Sequence, residues 1–250
     1  MKMLIILPFL FFTFSKSTAQ DINLLIREAN RLEDIPNELA AYSKFKEALK
    51  IQPAHLYSLT KSSELCSRIG ARETNSKTRD AWFAAALSYA NKAIAIAPFN
   101  DQANVSMAMA LGKSSLTKSG KEKLKSAKEI KKRVDIALKS NPGNYLAWHI
   151  LGRWNYELSN ISGVERTAAK IFYGGMPLGS VKNAIMYFEK ARSIEPYFIL
   201  NYVELAKAYY KNDQADKGIA LIKTIQKFPV NTEDDTKLKA QGLQMINDWK

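Results

Sequence analysis

One cysteine, Cys66, and two histidines, His55 and His149, are all that 250 residues provide of the strongest metal ligands and nucleophiles. A lone thiol excludes an internal disulfide framework, and a chain of this length needs none because its core is large enough. Cys66 stands among Leu59, Leu65 and Ile69. It reads as a small buried hydrophobe, since no basic or helix-terminal setting is there to activate it. The histidines fall in different parts of the chain, and neither belongs to an HExxH. There is no CxxC, no Gly-rich phosphate loop and no Gly-x-Ser-x-Gly. The expectation is therefore a protein with no catalytic residues, no cofactor and no metal site. Acids are also scarce: 24 Asp and Glu face 37 Lys and Arg, a formal charge of +13. That balance favours anionic partners and is silent about fold. A hydrophobic content of 46% is ordinary for a globular chain.

After the first residues no apolar run reaches the length that spans a bilayer. The start itself, MKMLIILPFLFFTFSKSTAQ, has a lysine, an apolar run from Met3 to Phe14, and small residues at Ser17 and Ala19. This is the layout of an export signal over residues 1–19, cut after Ala19, which leaves +11 on one domain of residues 20–250. The competing reading is a retained membrane anchor, against which the shortness of the run argues, because about 30 Å of hydrocarbon has to be crossed. Periplasm, cell envelope or the exterior is the expected location.

What is present is punctuation. Alanine, four residues and proline recur as Ala48–Pro53, Ala93–Pro98, Ala137–Pro142 and Ala191–Pro196. Three before each alanine stands Phe45, Ala90, Val134 or Phe188; seven before stands Ala41, Ala86, Ile130 or Ala184. Those spacings share one helical face, and proline stops the helix. The prolines lie 45, 44 and 54 residues apart, with 33 more to Pro229, periods that mean stacked helix pairs. Partner helices carry Trp148, Leu151 and Gly152, then Tyr202, Leu205, Ala206 and Tyr209, completed by Gly218 and Ile222. This is the tetratricopeptide pattern of bulky and small residues. The fold class is all-α: an α-α superhelix of about five helix pairs. ARETNSKTRD and SLTKSGKEK read as polar insertions between the helices of units two and three, and residues 158–180 as a larger one in unit four. Thr232 reads as the N-cap of a closing helix whose buried stripe is Leu238, Leu243, Ile246 and Trp249.

Leu151-Gly152-Arg153-Trp154, Glu157, Glu165-Arg166, the Phe172-to-Pro177 loop, and Ala184, Phe188 and Ala191 resemble the regulator of microtubule dynamics family. The resemblance extends from Lys121-Glu122 through Phe228-Pro229 and Thr232-Glu233-Asp234-Asp235, about residues 100–250. It implies a tetratricopeptide-like, non-enzymatic binding protein. It also implies a tubulin partner and a cytoplasmic, microtubule, spindle or membrane-anchored location, at odds with the export signal.

On a tetratricopeptide stack, helix A lines the concave face. The expected groove residues are His149, Arg153, Tyr156 and Glu157 in unit four, and Val203, Lys207, Tyr210 and Lys211 in unit five, with Glu64, Arg68 and Lys113 earlier. Cations beside tyrosines suit an acidic peptide or protein segment. A second basic feature, Lys121, Lys123, Lys125, Lys128, Lys131, Lys132 and Arg133, reads as the solvated side of an amphipathic helix. Its sharper reading is a patch for an acidic tail, an anionic membrane surface or a polyanionic glycan. No nucleic-acid motif accompanies it. Trp148, Gly152, Trp154, Glu157, Glu165 and Arg166 are expected to be structural. The last three should form an ion pair that pins the insertion, with Gly174, Gly175 and Pro177 turning into a short helix before Ser180.

Overall fold

The computed structural model describes residues 14–175 and 177–249. Among them are twelve α-helices, one 3₁₀ turn at Ser115–Thr117, and no strand. The helices are α1 (Phe14–Asp34), α2 (Glu38–Ile51), α3 (Leu56–Arg72), α4 (Ser76–Ile96), α5 (Asp101–Ser114) and α6 (Gly120–Ser140). They continue with α7 (Tyr145–Ser159), α8 (Gly163–Tyr173), α9 (Val181–Ile194), α10 (Ile199–Lys211), α11 (Ala215–Ile225) and α12 (Asp235–Asp248). Residues 1–13 of the stretch expected to be an export signal lie outside the described residues, and the first described buried side chain is Ile22. No described helix is long and apolar enough to cross a membrane.

The pairs α1–α2, α3–α4, α5–α6, α7–α9 and α10–α11 each pack on the next, as an α-α superhelix requires. Four second helices end by one device. Ala48, Ala93, Ala137 and Ala191 accept, on their carbonyls, the N–H of the residue just before each proline, at 2.8–2.9 Å. The alanine is thus both a packing residue, fully buried in all four units, and the last hydrogen-bond acceptor before the chain turns. Asn100 and Asn144 then cap the following helices through Ala103 N–H (2.9 Å) and Ala147 N–H (3.0 Å). His55 does the same for α3 through Nδ1 and Ser58 N–H.

The core is small residues facing aromatics. Gly152 lies against the ring of Phe188, where a Cβ would come within 2.6 Å of the ring. Trp148 stacks on Tyr187 at 5.7 Å and donates to the Pro142 carbonyl (2.8 Å). Trp154 donates to the Ala127 carbonyl (2.8 Å) and so ties α7 to α6. Cys66 is fully buried, and burial pushes its thiol up to about 12.

Several local expectations are corrected. The polar stretches of units two and three do link the paired helices, at residues 73–75 and 115–119, but their later residues are helical and lengthen α4 and α6 to 21 residues each. Thr232 is not a cap, because α12 starts at Asp235. Its buried side is Gly242, Met245 and Ile246 with Leu238 and Trp249 partly covered, while Leu243 faces water. The insertion helix α8 precedes Gly174 and Gly175 instead of following them, and Gly174 ends it at φ +73°.

The ion pair expected of the insertion is absent. Glu165 closes a capping box with Ser162, and Glu157 pairs with Arg153 at 3.1 Å. Arg166 fastens the insertion by another route. It donates to the Leu158 carbonyl at the end of α7 and to the Pro177 carbonyl (3.3 Å). Its guanidinium thus bonds backbone carbonyls, one in the last turn of α7 and one in the connection to α9.

Candidate binding groove

First helices of the units line one face, and two polar clusters sit on it. The first belongs to units one and two. Arg68 reaches Glu33 (2.8 Å) and Glu38 (3.0 Å), Arg72 reaches Glu38 (2.7 Å), and Lys61 reaches Glu33 (2.8 Å). Burial drives the Glu64 carboxyl above its ordinary range, against the pull of Lys61 and Arg68. Burial works against the Lys61 ammonium, yet Glu64 and Glu33 hold it above its ordinary value. Glu64, Arg68 and Lys113, expected as open groove residues, are instead largely enclosed.

The second cluster is built by α7 and α10. Glu204, nearly buried, accepts Lys207 Nζ at 3.0 Å and lies 3.7 Å from Arg153 Nε. Burial would raise the Glu204 carboxyl, but Arg153 and then Lys207 hold it below the usual range. Beside this, the Lys211 ammonium stands 5.5 Å from the Tyr156 ring centre and also binds Ser159 and Asn160. Tyr210 stacks flat on Trp249 with ring centres 4.5 Å apart and leaves 44% of its surface open. Two cross-helix links, Arg153–Glu204–Lys207 and Tyr156–Lys211, join the faces of α7 and α10 into one strip. Six of the predicted residues lie there: Arg153 with Glu157 paired to it, Tyr156, Lys207, Tyr210 and Lys211.

His149 and Val203 do not. Val203 is fully buried. His149 is 5% exposed, lies between the Phe188 and Phe198 rings, and shares a 3.0 Å hydrogen bond with Asn201 Oδ1. Burial pushes its imidazole down to about 4, so it is neutral at pH 7 and belongs to the α7–α10 interface. Its partner Asn201 also bonds the Phe188 carbonyl (2.9 Å). The buried asparagine is the residue that sequence reasoning missed; an Asn inside the apolar run of α10 was the available signal.

On α6, Lys131 pairs with Asp135 (2.7 Å) and Arg133 with Glu129 (2.6 Å), which removes both from an open patch. Lys121, Lys123, Lys125, Lys128 and Lys132 are exposed. Four of these five, all but Lys123, edge a depression of about 390 Å³ with Leu124 and Glu129.

Stacked helix pairs with a polar, cation-bearing inner face define a tetratricopeptide-like helical-repeat protein, an architecture typical of protein-binding scaffolds. Solved structures show the same fold. TTC0263, a thermophilic TPR protein of Thermus thermophilus, superposes with a TM-score of 0.64 at 16% identity, over 89% of this chain and 99% of its own. PilF of Pseudomonas aeruginosa gives 0.54 at 13% identity, over 93% and 88%. The model of the regulator of microtubule dynamics proteins 1–3 matches residues 25–250, and the chain belongs to that family. The mouse (Mus musculus) regulator of microtubule dynamics protein 1 is 27% identical over 128 residues, 50% of this chain and 42% of that protein. Mouse protein 2 is 26% identical over 160 residues, 64% and 39%. The chain thus matches less than half the length of these relatives.

Proposed function

We propose that the protein is a non-catalytic adaptor that receives an extended acidic segment of a protein partner along the α7–α10 strip. The observation that carries this is the pair of cross-helix links, which set three cations, Arg153, Lys207 and Lys211, beside Tyr156, with the partly open Tyr210 ring on the same helix as the two lysines. Guanidinium and ammonium groups bind carboxylates by charge-assisted hydrogen bonds, and the tyrosines supply flat contact area. Glu204 keeps Arg153 and Lys207 ordered before a partner arrives, which lowers the entropy cost of binding. The working location is an envelope or secretory compartment, in line with the export signal. A chain beginning at Gln20 in that fraction, read by mass spectrometry, supports it; a chain keeping residues 1–19 in a membrane fraction refutes it.

The test of the strip is fluorescence anisotropy with a labelled oligoglutamate peptide and an uncharged peptide of equal length. The expected result is selective binding to the acidic probe, weakened at least about tenfold by Arg153→Ala with Lys207→Ala, a loss of about 1.4 kcal/mol. Equal binding by the double variant refutes the assignment.

A second reading rests on α6. Its exposed lysines form no ion pair among the described residues, and they surround an apolar-floored depression. This suits a polyanionic surface, including the acidic face of a filament such as the microtubule that the family is named for. Binding through it weakens steeply with salt; salt-independent binding refutes it.

A further inference from the structure

The connection between α11 and α12 makes a contact that a stack of nearest neighbours does not predict. Glu233 Oε1 accepts the backbone N–H of Glu38 at 2.7 Å, and Glu233 Oε2 lies 3.0 Å from Arg72 Nη2. Asp234 Oδ2 accepts from Arg72 Nη1 at 3.3 Å. These partners are 162 and 195 residues apart in the chain. Glu38 is the first residue of α2, so its N–H has no partner within the helix and faces outward with the positive end of the helix dipole. A guanidinium beside a helix N-terminus is a carboxylate seat, and here it holds a carboxylate.

The turn that fills the seat is shaped in advance. Asp235, 5% exposed, accepts the N–H groups of Asn231 and Thr232, each at 2.8 Å. Upstream, the Phe228 ring packs edge-on against Tyr197 and Tyr202 with ring centres 5.1 Å apart in both pairs. Glu233 and Asp234 are thus displayed side by side on a rigid turn. Asn231 comes alongside Asn30, Glu33, Tyr57 and Lys61 at a polar depression of about 260 Å³.

The contact is built to release. Lys61, Arg68 and Arg72 are already matched by Glu33, Glu38 and Glu64. Glu233 and Asp234 both stay about a third exposed. Water therefore screens the pairing and keeps it weak enough to exchange.

We propose that the Thr232–Asp235 turn is an internal acidic ligand. It occupies the seat made by the α2 N-terminus and Arg72, and a partner segment with two adjacent carboxylates takes that seat once the turn withdraws. This rests on the reading of the inner face as a site for acidic segments.

The experiment compares the full chain with its Glu233→Gln, Asp234→Asn variant. Hydrogen exchange of the Glu38 amide, without any partner, is expected to rise at least tenfold in the variant. In the unmodified chain, 1 M NaCl should reproduce that rise, which guards against a folding defect of the variant. The probe is the acetylated peptide of residues 231–236, NTEDDT. It should bind the variant at least fivefold more tightly than the unmodified chain, and Arg72→Gln in the variant should abolish the gain. Unchanged exchange overturns the internal contact, and equal peptide affinity overturns the shared seat. Failure of the α7–α10 strip would show instead as loss of oligoglutamate selectivity with the exchange difference intact.

Discussion

Gly152 and Gly112 are both interior to helices, and replacing each by alanine should move stability in opposite directions. In an unhindered helix the exchange gains about 0.8–1 kcal/mol, because alanine has less backbone freedom to lose. At Gly112 nothing lies within 4 Å of the new methyl group, so Gly112→Ala should gain about that amount. At Gly152 the methyl carbon would stand 2.6, 2.7 and 2.9 Å from three atoms of the Phe188 ring. The ring cannot swing away: Phe188 is fully buried, with His149 beside it at 5.5 Å. Overpacking costs about 1–3 kcal/mol in general, and three contacts under 3 Å to a fixed ring put this site at about 2–3 kcal/mol. Less the helical gain, Gly152→Ala should be about 1–2 kcal/mol less stable. For a chain of this size the melting midpoint should fall by about 2–8 °C, and rise by about 2–4 °C for Gly112→Ala. Thermal unfolding followed by circular dichroism measures both. Adding Phe188→Leu to Gly152→Ala should cost less than the sum of the single changes, because the smaller side chain removes the clash. A Gly152→Ala chain as stable as the original, or strict additivity in the double variant, refutes the close approach of α7 and α9.

His149 predicts a pH dependence. Its folded pKa, about 4, lies below the ordinary value of 6.5, so the unfolded chain binds the proton first. Stability is whole above about pH 6.5 and declines as pH falls toward 4, by on the order of 3 kcal/mol. Urea midpoints across that window should flatten in His149→Gln, and an unchanged slope contradicts the assignment. Arg166→Ala removes two hydrogen bonds from the insertion to its own end and to α7. It should cost about 1 kcal/mol and speed proteolytic cutting between residues 174 and 179; unaltered cutting counts against the Arg166 anchor.

The alternation of small and bulky residues before each proline is a local signal, and it locates five helix pairs because a helical face and a helix stop are both written within a dozen residues. The strip of Arg153, Tyr156, Lys207, Tyr210 and Lys211 is legible for the same reason. What fails depends on neighbours the sequence does not name. Ser58, Ser62, Ser63 and Ser67 look like a solvent face, yet all are fully buried where α3 packs on α2, α4 and α5. Serine serves there as a small residue, and Ser63 satisfies itself on the Ala86 carbonyl at 2.9 Å. Helical spacing alone places His149 outward, whereas Asn201 and two aromatic rings from later elements draw it in. The fastening by Arg166 is expected from sequence, but its partners are carbonyls, which carry no signature in residue type. The pairing of Arg72 with Glu233 depends on the superhelical pitch, a sum of small rotations over many units that no window of sequence contains.

An open row of helix pairs can fray from either terminus, since each end unit has one neighbour. The bond between Glu233 and the first turn of α2 changes the character of such a row: it becomes a circuit. The terminal units stabilise each other, so a melting front that starts at either end loosens both. Folding acquires one late step with a large loop to close, and for as long as the turn stays seated the two ends share their fate.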